Sequence, residues 1–181
     1  QAGMESEELV LVELADWLQD SWEADVRYVF GPGSTLHGLA SNLGLTTTLL
    51  GVDVIENGQV LARDVNEQQL YELVREHPSR LLVTAIGGQG HIIGRGNQQI
   101  SPRVLRAIGL EHLRVVATKR KLATLAGRPL LVDSGDPQLD GVFPDAIRVW
   151  TGYQEELLYP LGWSAERLAA ADEGAEACGN K

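Results

Sequence analysis

Apolar residues recur at helical spacing in the first part of the chain, and short apolar runs broken by glycine-rich turns follow. Residues 6–22 place leucine, valine and alanine on one side and acidic residues on the other, which predicts an amphipathic helix that packs on a core. The run 26–30 predicts a strand, and a glycine turn separates it from a helix predicted over 36–43. The chain therefore starts helix, strand, helix.

The remaining segments alternate between predicted strands and predicted helices. Strands are predicted over 47–55, 59–63, 80–86, 113–117, 129–132, 147–151 and 156–159. Helices are predicted to begin after the capping residues Asn66 (ending at His77), Ser101 and Thr118, while 91–100 and 133–145 are predicted to be irregular. Asn57-Gly58 is typical of a hairpin turn, and the last two strands suggest a second antiparallel pair. The pattern predicts an α/β fold of the mixed α+β kind, with helices packed on a mixed sheet that carries two inserted β-hairpins.

A length of 181 residues suits one domain with extensions. We divide the chain into an amino-terminal helix over 1–25, an α/β domain over 26–163 and an acidic, alanine-rich tail over 164–181. Gln-Ala-Gly precedes Met4, so we expect either that residues 1–3 are an addition or that the chain is a fragment of a longer protein.

Charge and composition exclude several classes of function. The formal net charge of −10, from 15 basic and 25 acidic residues, argues against nonspecific binding to nucleic acid or to an anionic membrane. No apolar run approaches the roughly 20 residues that span a bilayer. The single cysteine, Cys178, rules out an intrachain disulfide. Without a recognisable leader, a cytoplasmic location is expected.

The first candidate for chemistry lies between a predicted strand and a predicted helix. It consists of Gly31, Pro32, Gly33, Ser34 and Thr35. A helix amino terminus offers unpaired N–H groups and the positive end of the dipole, so this segment suits a phosphate or a ribose hydroxyl. The alternative is a tight turn followed by a Ser/Thr helix cap. It is not a P-loop, because no Gly-Lys-Ser/Thr follows.

A second glycine-rich segment follows the strand predicted over 80–86. Its candidate ligand-binding residues are Gly87, Gly88, Gln89, Gly90, Arg95, Asn97 and Gln98. Ordering so many glycines costs entropy, which favours a functional reason for them. Arg95 could hold a phosphate or carboxylate, and the amides could contact a base or sugar edge. The structural alternative is an irregular hairpin with glycine bulges.

Three acidic residues and one basic run complete the candidates. Asp53 lies in an apolar run and is either functional or paired, or else faces solvent from an edge strand. Asp133 and Asp136 follow a predicted strand, where they could contact ribose hydroxyls or a metal, although Asp-Ser-Gly-Asp is also good turn chemistry. Lys119-Arg120-Lys121 could face an anionic ligand or form a solvated surface.

Five segments in order resemble the carboxy-terminal half of the ATP-NAD kinase-like proteins of bacteria, a divergent branch of the NAD kinase family. They are Phe30-Gly-Pro-Gly-Ser-Thr-Leu-His37, Leu50-Gly-Val-Asp-Val54, Thr84-Ala-Ile-Gly-Gly-Gln-Gly-His91, Gly94-Arg-Gly-Asn-Gln-Gln-Ile-Ser-Pro102 and Arg128-Pro-Leu-Leu-Val-Asp-Ser-Gly-Asp136. Gly33-Ser34-Thr35 is similar to the end of the family's Thr-Pro-Thr-Gly-Ser-Thr motif, which helps to hold the dinucleotide. Phe30-Gly31-Pro32 replaces the Thr-Pro-Thr part.

The resemblance implies phosphoryl transfer from ATP, with Mg²⁺, to the ribose 2′-hydroxyl of NAD. The family's Gly-Gly-Asp-Gly-Thr motif, whose Asp is thought to be the base, is absent from this chain. The resemblance therefore implies a carboxy-terminal portion that is inactive alone and works with a missing amino-terminal domain. Its expected ligand is a dinucleotide or nucleotide, and a homo-oligomer is a further expectation.

Two other functions remain open on the sequence. A strand followed by Gly-x-Gly-Ser-Thr and a helix is also similar to the phosphate loop of ribose-5-phosphate isomerase, with Asp53 or Asp133 and Lys119 as candidate acid–base residues. A non-catalytic, nucleotide-sensing domain is the other alternative.

Overall fold

The computed structural model describes residues 2–163, with side chains from residue 7 onward. The tail predicted over 164–181 lies outside the described residues. Within the described range the helices are α1 (Ala2–Asp20), α2 (Ser34–Asn42), α3 (Glu67–Val74), α4 (Pro102–Ile108), α5 (Lys119–Ala123) and α6 (Pro137–Asp140). The strands are β1 (Arg27–Phe30), β2 (Asp53–Glu56), β3 (Gln59–Ala62), β4 (Ser79–Val83), β5 (His91–Ile93), β6 (Leu113–Val116), β7 (Leu130–Val132), β8 (Ala146–Gly152) and β9 (Glu155–Trp163). The predicted α/β class is confirmed.

The nine strands form one mixed sheet in the order β3-β2-β1-β4-β6-β8-β9-β7-β5. Strands β1, β4, β6 and β8 are parallel neighbours. The hairpin partners β2 and β3 extend one side, and β8 turns back into the antiparallel β9. Beyond β9, the strands β7 and β5 run parallel to it. Both predicted hairpins are therefore present, one at an edge of the sheet and one in its middle.

Side-chain alternation along the central strands divides the core into two layers. On one face, Tyr28, Phe30, Leu82, Val116 and Trp150 are buried with residues of α1 and α2. On the other face, the alternate residues, which include Val29, Leu81, Val83, Val115 and Val149, are buried with α3, α4 and the second half of the sheet. The amphipathic helix α1 thus packs on the sheet as predicted, and its Trp17 stacks on Trp150 at 3.6 Å between ring centroids.

Capping residues set the starts of three helices, as predicted. Asn66 and Gln69 form a reciprocal capping box at α3. The Ser101 side chain accepts a hydrogen bond from the Val104 amide, and the Thr118 side chain accepts one from the Lys121 amide. These caps depend only on nearby sequence, which is why the pattern located them.

Several predicted boundaries were wrong. The strand predicted over 47–55 begins only at Asp53, and the strand predicted over 80–86 ends at Val83. The segment 91–100 contains β5, which pairs with β7, and 133–145 contains the short helix α6. The helix after Asn66 ends at Val74 rather than His77. In each case the pairing with a strand distant in sequence, or a local turn, decides the boundary, and the hydrophobic pattern does not.

Among residues 2–163 no helix has both the length and the hydropathy needed to cross a bilayer.

Gly94 lets β5 and β7 approach each other closely. Its φ of 101° is in the left-handed region, and a Cβ at this position would lie 1.9 Å from the carbonyl oxygen of Asp133. Gly96 has a comparable φ of 73°, but the nearest atom to its Cβ position is a side-chain carbon of Ile86 at 3.5 Å. A residue with a side chain would have a strained backbone at either position, but only at Gly94 would its Cβ also collide with the neighbouring backbone.

We expect Gly94→Ala to lower the free energy of unfolding by at least about 3 kcal/mol, because left-handed strain and a backbone clash add. Gly96→Ala, the matched control, should lose only about 1–2 kcal/mol. Urea unfolding of both variants measures the difference. Equal losses would mean that the close approach at Gly94 does not exist.

Glu67 connects the amino termini of α3 and α4. Its carboxylate accepts hydrogen bonds from the Ser101 hydroxyl and from the Arg103 guanidinium, and Arg103 also lies 4.1 Å above the Tyr71 ring. The hydrogen bonds from Arg103 and then from Ser101 lower the pKa of Glu67 from 4.5 to about 2. A carboxyl with a lowered folded-state pKa stabilises the protein above its unfolded pKa, and that contribution is lost as the pH falls.

Glu67→Gln should therefore lower the free energy of unfolding by about 0.5–1 kcal/mol at pH 7, the range for a solvent-screened ion pair. The difference from wild type should shrink as the pH drops from 4.5 towards 2. Urea unfolding across that pH range tests this, with Glu72→Gln on the exposed side of α3 as control. A difference independent of pH would contradict it.

Candidate functional site

The carboxyl ends of four parallel strands define one edge of the central sheet. Gly31–Thr35 follows β1, Thr84–Gly90 follows β4, and Thr118–Lys121 follows β6. Ligands of open α/β sheets gather at such edges. The two glycine-rich segments singled out in the sequence therefore leave adjacent strands on the same side.

The first glycine segment forms the start of α2. Gly33 precedes the helix with a φ of 122°, a conformation that L side chains rarely adopt, and its amide donates to the carbonyl of Leu49 at 2.9 Å. Among the side chains of residues 7–163 none caps α2, so its first N–H groups and the positive end of its dipole remain available. Ser34 is exposed there. The Ser/Thr cap of the alternative interpretation is not formed, which leaves the N–H groups of the helix terminus available to an anion.

Thr84 adds a hydroxyl beside this terminus. The residue is only 3% exposed, and among residues 7–163 no hydrogen-bond partner is found for its Oγ1. Its γ-methyl lies 2.9 Å from where a Cβ of Gly33 would stand. Buried hydroxyls without partners are rare and costly, by about 1–3 kcal/mol. Sequence reasoning did not select Thr84, although a threonine between a buried strand and a glycine run was a usable signal.

Asp53 holds the loop that contacts the first glycine segment. It is 1% exposed, and its carboxylate accepts hydrogen bonds from the Thr48 amide and hydroxyl and from the Asp64 amide, each at 2.9 Å. The alternative that it faces solvent is wrong. Asp53 holds the loop before β2, and Leu49 in that loop accepts the hydrogen bond from Gly33. Its role in this geometry is to position the loop.

The second glycine segment forms a tight turn. Ile86 and His91 form an antiparallel bridge that closes the turn over Gly87, Gly88, Gln89 and Gly90. The first three of these turn residues are exposed. The local conformation is therefore the irregular hairpin of the structural alternative. A ligand could contact only its exposed tip, Gly87 to Gln89.

Three basic side chains surround this turn. Lys121 Nζ donates to the Gly87 carbonyl and Arg128 donates to the Gly88 carbonyl, both at 3.3 Å. Arg95 is exposed, and its Cδ lies 3.9 Å from the Cβ position of Gly87. The turn thus carries local positive charge on a chain whose net charge is −10.

Asn97 and Gln98 differ in their availability. Asn97 is fully buried; its Oδ1 accepts from the Gly94 amide and its Nδ2 donates to the Ile92 carbonyl, both at 2.9 Å. These bonds close the loop after β5. Gln98 is exposed.

Asp133 and Asp136 lie beside the loop that follows β5, where the Asp133 amide donates to the Ile93 carbonyl at 3.1 Å. They follow β7, which runs parallel to β9 and thus opposite to β8. Asp136 caps α6 by accepting from the Gln138 and Leu139 amides and forms an ion pair with Arg106. The hydrogen bond from Arg106 is the main reason why the pKa of Asp136 is lowered. In this geometry Asp136 is a turn and capping residue.

The other two residues of the basic run border a cavity of about 520 Å³ beneath α1. Lys119 pairs with Glu155 at 2.5 Å, and Arg120 lies 3.8 Å from Glu7. Lys119 and Arg120 therefore already face carboxylates. The acid–base combination needed for an isomerase is not assembled, because hydrogen bonds hold the Asp53 carboxylate and Lys119 pairs with Glu155.

Within the part of the chain that the structure describes, no group of three or more His, Cys, Asp or Glu side chains converges in a way that could hold a metal ion.

One comparison identifies the domain. The family model described as the ATP-NAD kinase C-terminal domain matches residues 23–161, a range that begins just before β1 and contains both glycine-rich segments. Searches among curated proteins and among solved structures return no match. The match covers more than three quarters of the chain and agrees with the glycine-bordered edge of the sheet, and the chain belongs to the ATP-NAD kinase C-terminal domain family.

Proposed function

We propose that this domain binds NAD at the carboxyl edge of its central strands and orients it for phosphoryl transfer to the ribose 2′-hydroxyl. Membership of the family supports a kinase-like function and a nucleotide ligand. The observation that carries the proposal is the uncapped amino terminus of α2 beside the unpartnered Thr84 hydroxyl. The helix terminus would donate N–H groups to an anion, and Thr84 would offer its hydroxyl to a sugar.

The first part of the proposed site is Gly31, Gly33, Ser34 and Thr35. The absence of a Cβ at Gly33 lets the Thr84 side chain pack against the start of α2. The free N–H groups of α2 suit a phosphate of the dinucleotide. The γ-methyl of Thr84 is the part of that side chain nearest Gly33, and in this proposal a change of its rotamer turns the buried hydroxyl to a ribose hydroxyl of the bound dinucleotide.

The second part is the turn at Gly87–Gly90 with Arg95. Its exposed peptide groups and the neighbouring basic side chains would offset phosphate charge. Gln89 and Gln98 are exposed and available to a base or sugar edge. Asp53 and Asn97 would act indirectly, by holding the two loops, and Asp133 and Asp136 are the least favoured of the candidates.

Phosphoryl transfer depends mainly on positioning and on charge stabilisation. In this proposal the residues of this chain bind NAD and orient its ribose, and the amino-terminal domain of the family supplies the general base and the ATP site. When bound, Mg²⁺ would neutralise charge on the phosphates of ATP. The chain alone would then bind ligand without turning it over.

Calorimetric titration of this chain with NAD, ATP and ribose 5-phosphate tests the proposal. Saturable binding of NAD supports it. Binding of ribose 5-phosphate but not NAD, or binding of none of the three, would contradict a dinucleotide site in this domain.

Thr84→Val replaces the hydroxyl by a methyl group of similar shape. We expect NAD affinity to fall about three- to ten-fold, the effect of one lost neutral hydrogen bond, while the free energy of unfolding rises by about 1 kcal/mol because a buried unpartnered hydroxyl is removed. Calorimetry and urea unfolding measure the two effects.

Ser79→Ala is the matched control at the other end of β4. The Ser79 hydroxyl is buried and donates to the His77 carbonyl at 2.9 Å, so its loss should lower stability and leave NAD affinity unchanged. Unchanged affinity in Thr84→Val would remove Thr84 from the site.

Arg95→Gln should weaken NAD binding by about ten-fold or more, as expected for a lost charged hydrogen bond, with little change in unfolding. Arg75→Gln, at the residue that follows α3 and away from this end of the strands, removes the same charge and serves as control. The same loss in both variants would indicate a general effect of charge instead of a contact at the turn.

A further inference from the structure

Two arginines lie side by side near the amino ends of the central strands, away from the glycine-rich loops. Arg80 is the second residue of β4 and Arg114 the second residue of β6. In the register of the sheet, Tyr28 is opposite Arg80 and Leu82 is opposite Arg114. Alternation along the strands directs all four side chains to the face covered by α1.

Arg80 is already paired. Its Nε lies 2.9 Å from the Glu23 carboxylate, and its Nη2 donates to the same carboxylate at 3.1 Å. The Glu23 amide in turn donates to the Tyr28 hydroxyl at 3.0 Å. This network fixes one wall of the space between α1 and the strands.

Arg114 has no such partner. Its guanidinium lies 4.1 Å above the Trp150 ring, and among residues 7–163 no ion pair or hydrogen bond to it is found. The nearby Glu156 carboxylate accepts from Trp150 at 3.0 Å and pairs with Arg148 at 3.3 Å. Burial, the largest influence, lowers the pKa of Arg114. Half-buried guanidinium donors without an acceptor are unfavourable.

A cavity of about 140 Å³ opens onto these groups. Its lining residues are Leu18, Ser21, Glu23, Tyr28, Arg80, Leu82, His112 and Arg114. Small-molecule sites typically measure about 300–1,000 Å³, so this space is too small for a nucleotide. It suits one phosphate-sized group, for which the planar guanidinium fork is the natural donor.

We infer that the cavity between α1 and the amino ends of β4 and β6 is a binding site for a single oxyanion, phosphate or carboxylate, with Arg114 as its main ligand. The site is separate from the proposed dinucleotide site, because it lies at the opposite edge of the central strands. The Arg80–Glu23 ion pair forms one wall of the site and leaves Arg114 as its uncompensated charge, and the exposed Ser21 stands at its rim.

Titration of the whole chain with sodium phosphate, in Tris-chloride buffer at constant ionic strength, tests the site. We expect saturable binding, seen as a rise in the thermal midpoint and as a change in tryptophan fluorescence, because Trp150 contacts Arg114. Arg114→Gln should weaken this binding about ten-fold or more. Arg148→Gln removes the same charge from the neighbouring strand at a side chain that is 76% exposed and should bind phosphate like wild type.

Ser21→Tyr blocks the cavity without changing charge and should also abolish binding, which keeps the test informative if Arg114→Gln folds poorly. Acetate binding that depends on Arg114 in place of phosphate binding supports the same site with a carboxylate as occupant. No saturable binding of either anion, or equal binding in wild type and in both cavity variants, overturns the inference. NAD affinity should be unchanged in Arg114→Gln, so this inference and the proposed dinucleotide site fail independently.

Discussion

The parallel pairing of β1 with β4 is the constraint on which the candidate site depends. Phe30 lies opposite Leu82, and the Gly31 amide continues the ladder by donating to the Leu82 carbonyl at 2.9 Å. The polypeptide therefore leaves β1 and β4 at the same height in the sheet. As a result Gly33 and Thr84 lie in contact, although 50 residues separate them along the chain. Backbone hydrogen bonds within the sheet thus hold a left-handed glycine and an unpartnered hydroxyl in place, neither of which stabilises the fold.

Asp53 is the second element of this arrangement. A buried carboxylate is tolerated because backbone and hydroxyl donors surround it. These bonds draw residues 48–52 out of the extended conformation that their β-branched and apolar composition favours, and they turn that segment into a loop over the amino terminus of α2. A carboxylate that resembles a catalytic group in the sequence therefore acts as a structural support.

Features set by nearby residues were predictable, and features set by distant strands were not. The Asn57-Gly58 hairpin and the caps at Asn66, Ser101 and Thr118 follow from local chemistry. Both glycine-rich segments were located for the same reason. The placement of Asp133 beside Gly94 depends on the pairing of β7 with β5, which is a contact between strands distant in sequence. The lack of a hydrogen-bond partner at Thr84 and at Arg114 is a property of the packed strands, and the sequence does not contain it.

The position of β9 has a consequence for how the domain is made. This last strand pairs with β8 on one side and with β7 on the other. The strands β7 and β5 therefore cannot join the central strands until β9, which begins at residue 155, has been synthesised. At about 5–20 residues per second, a ribosome needs roughly 2–6 seconds to pass from the end of β7 to the end of β9. During that interval the apolar strands β5 and β7 present unpaired edges, which are prone to intermolecular pairing. The edge of β7 that β9 will cover is therefore open to pairing with other chains until the end of the domain has been made.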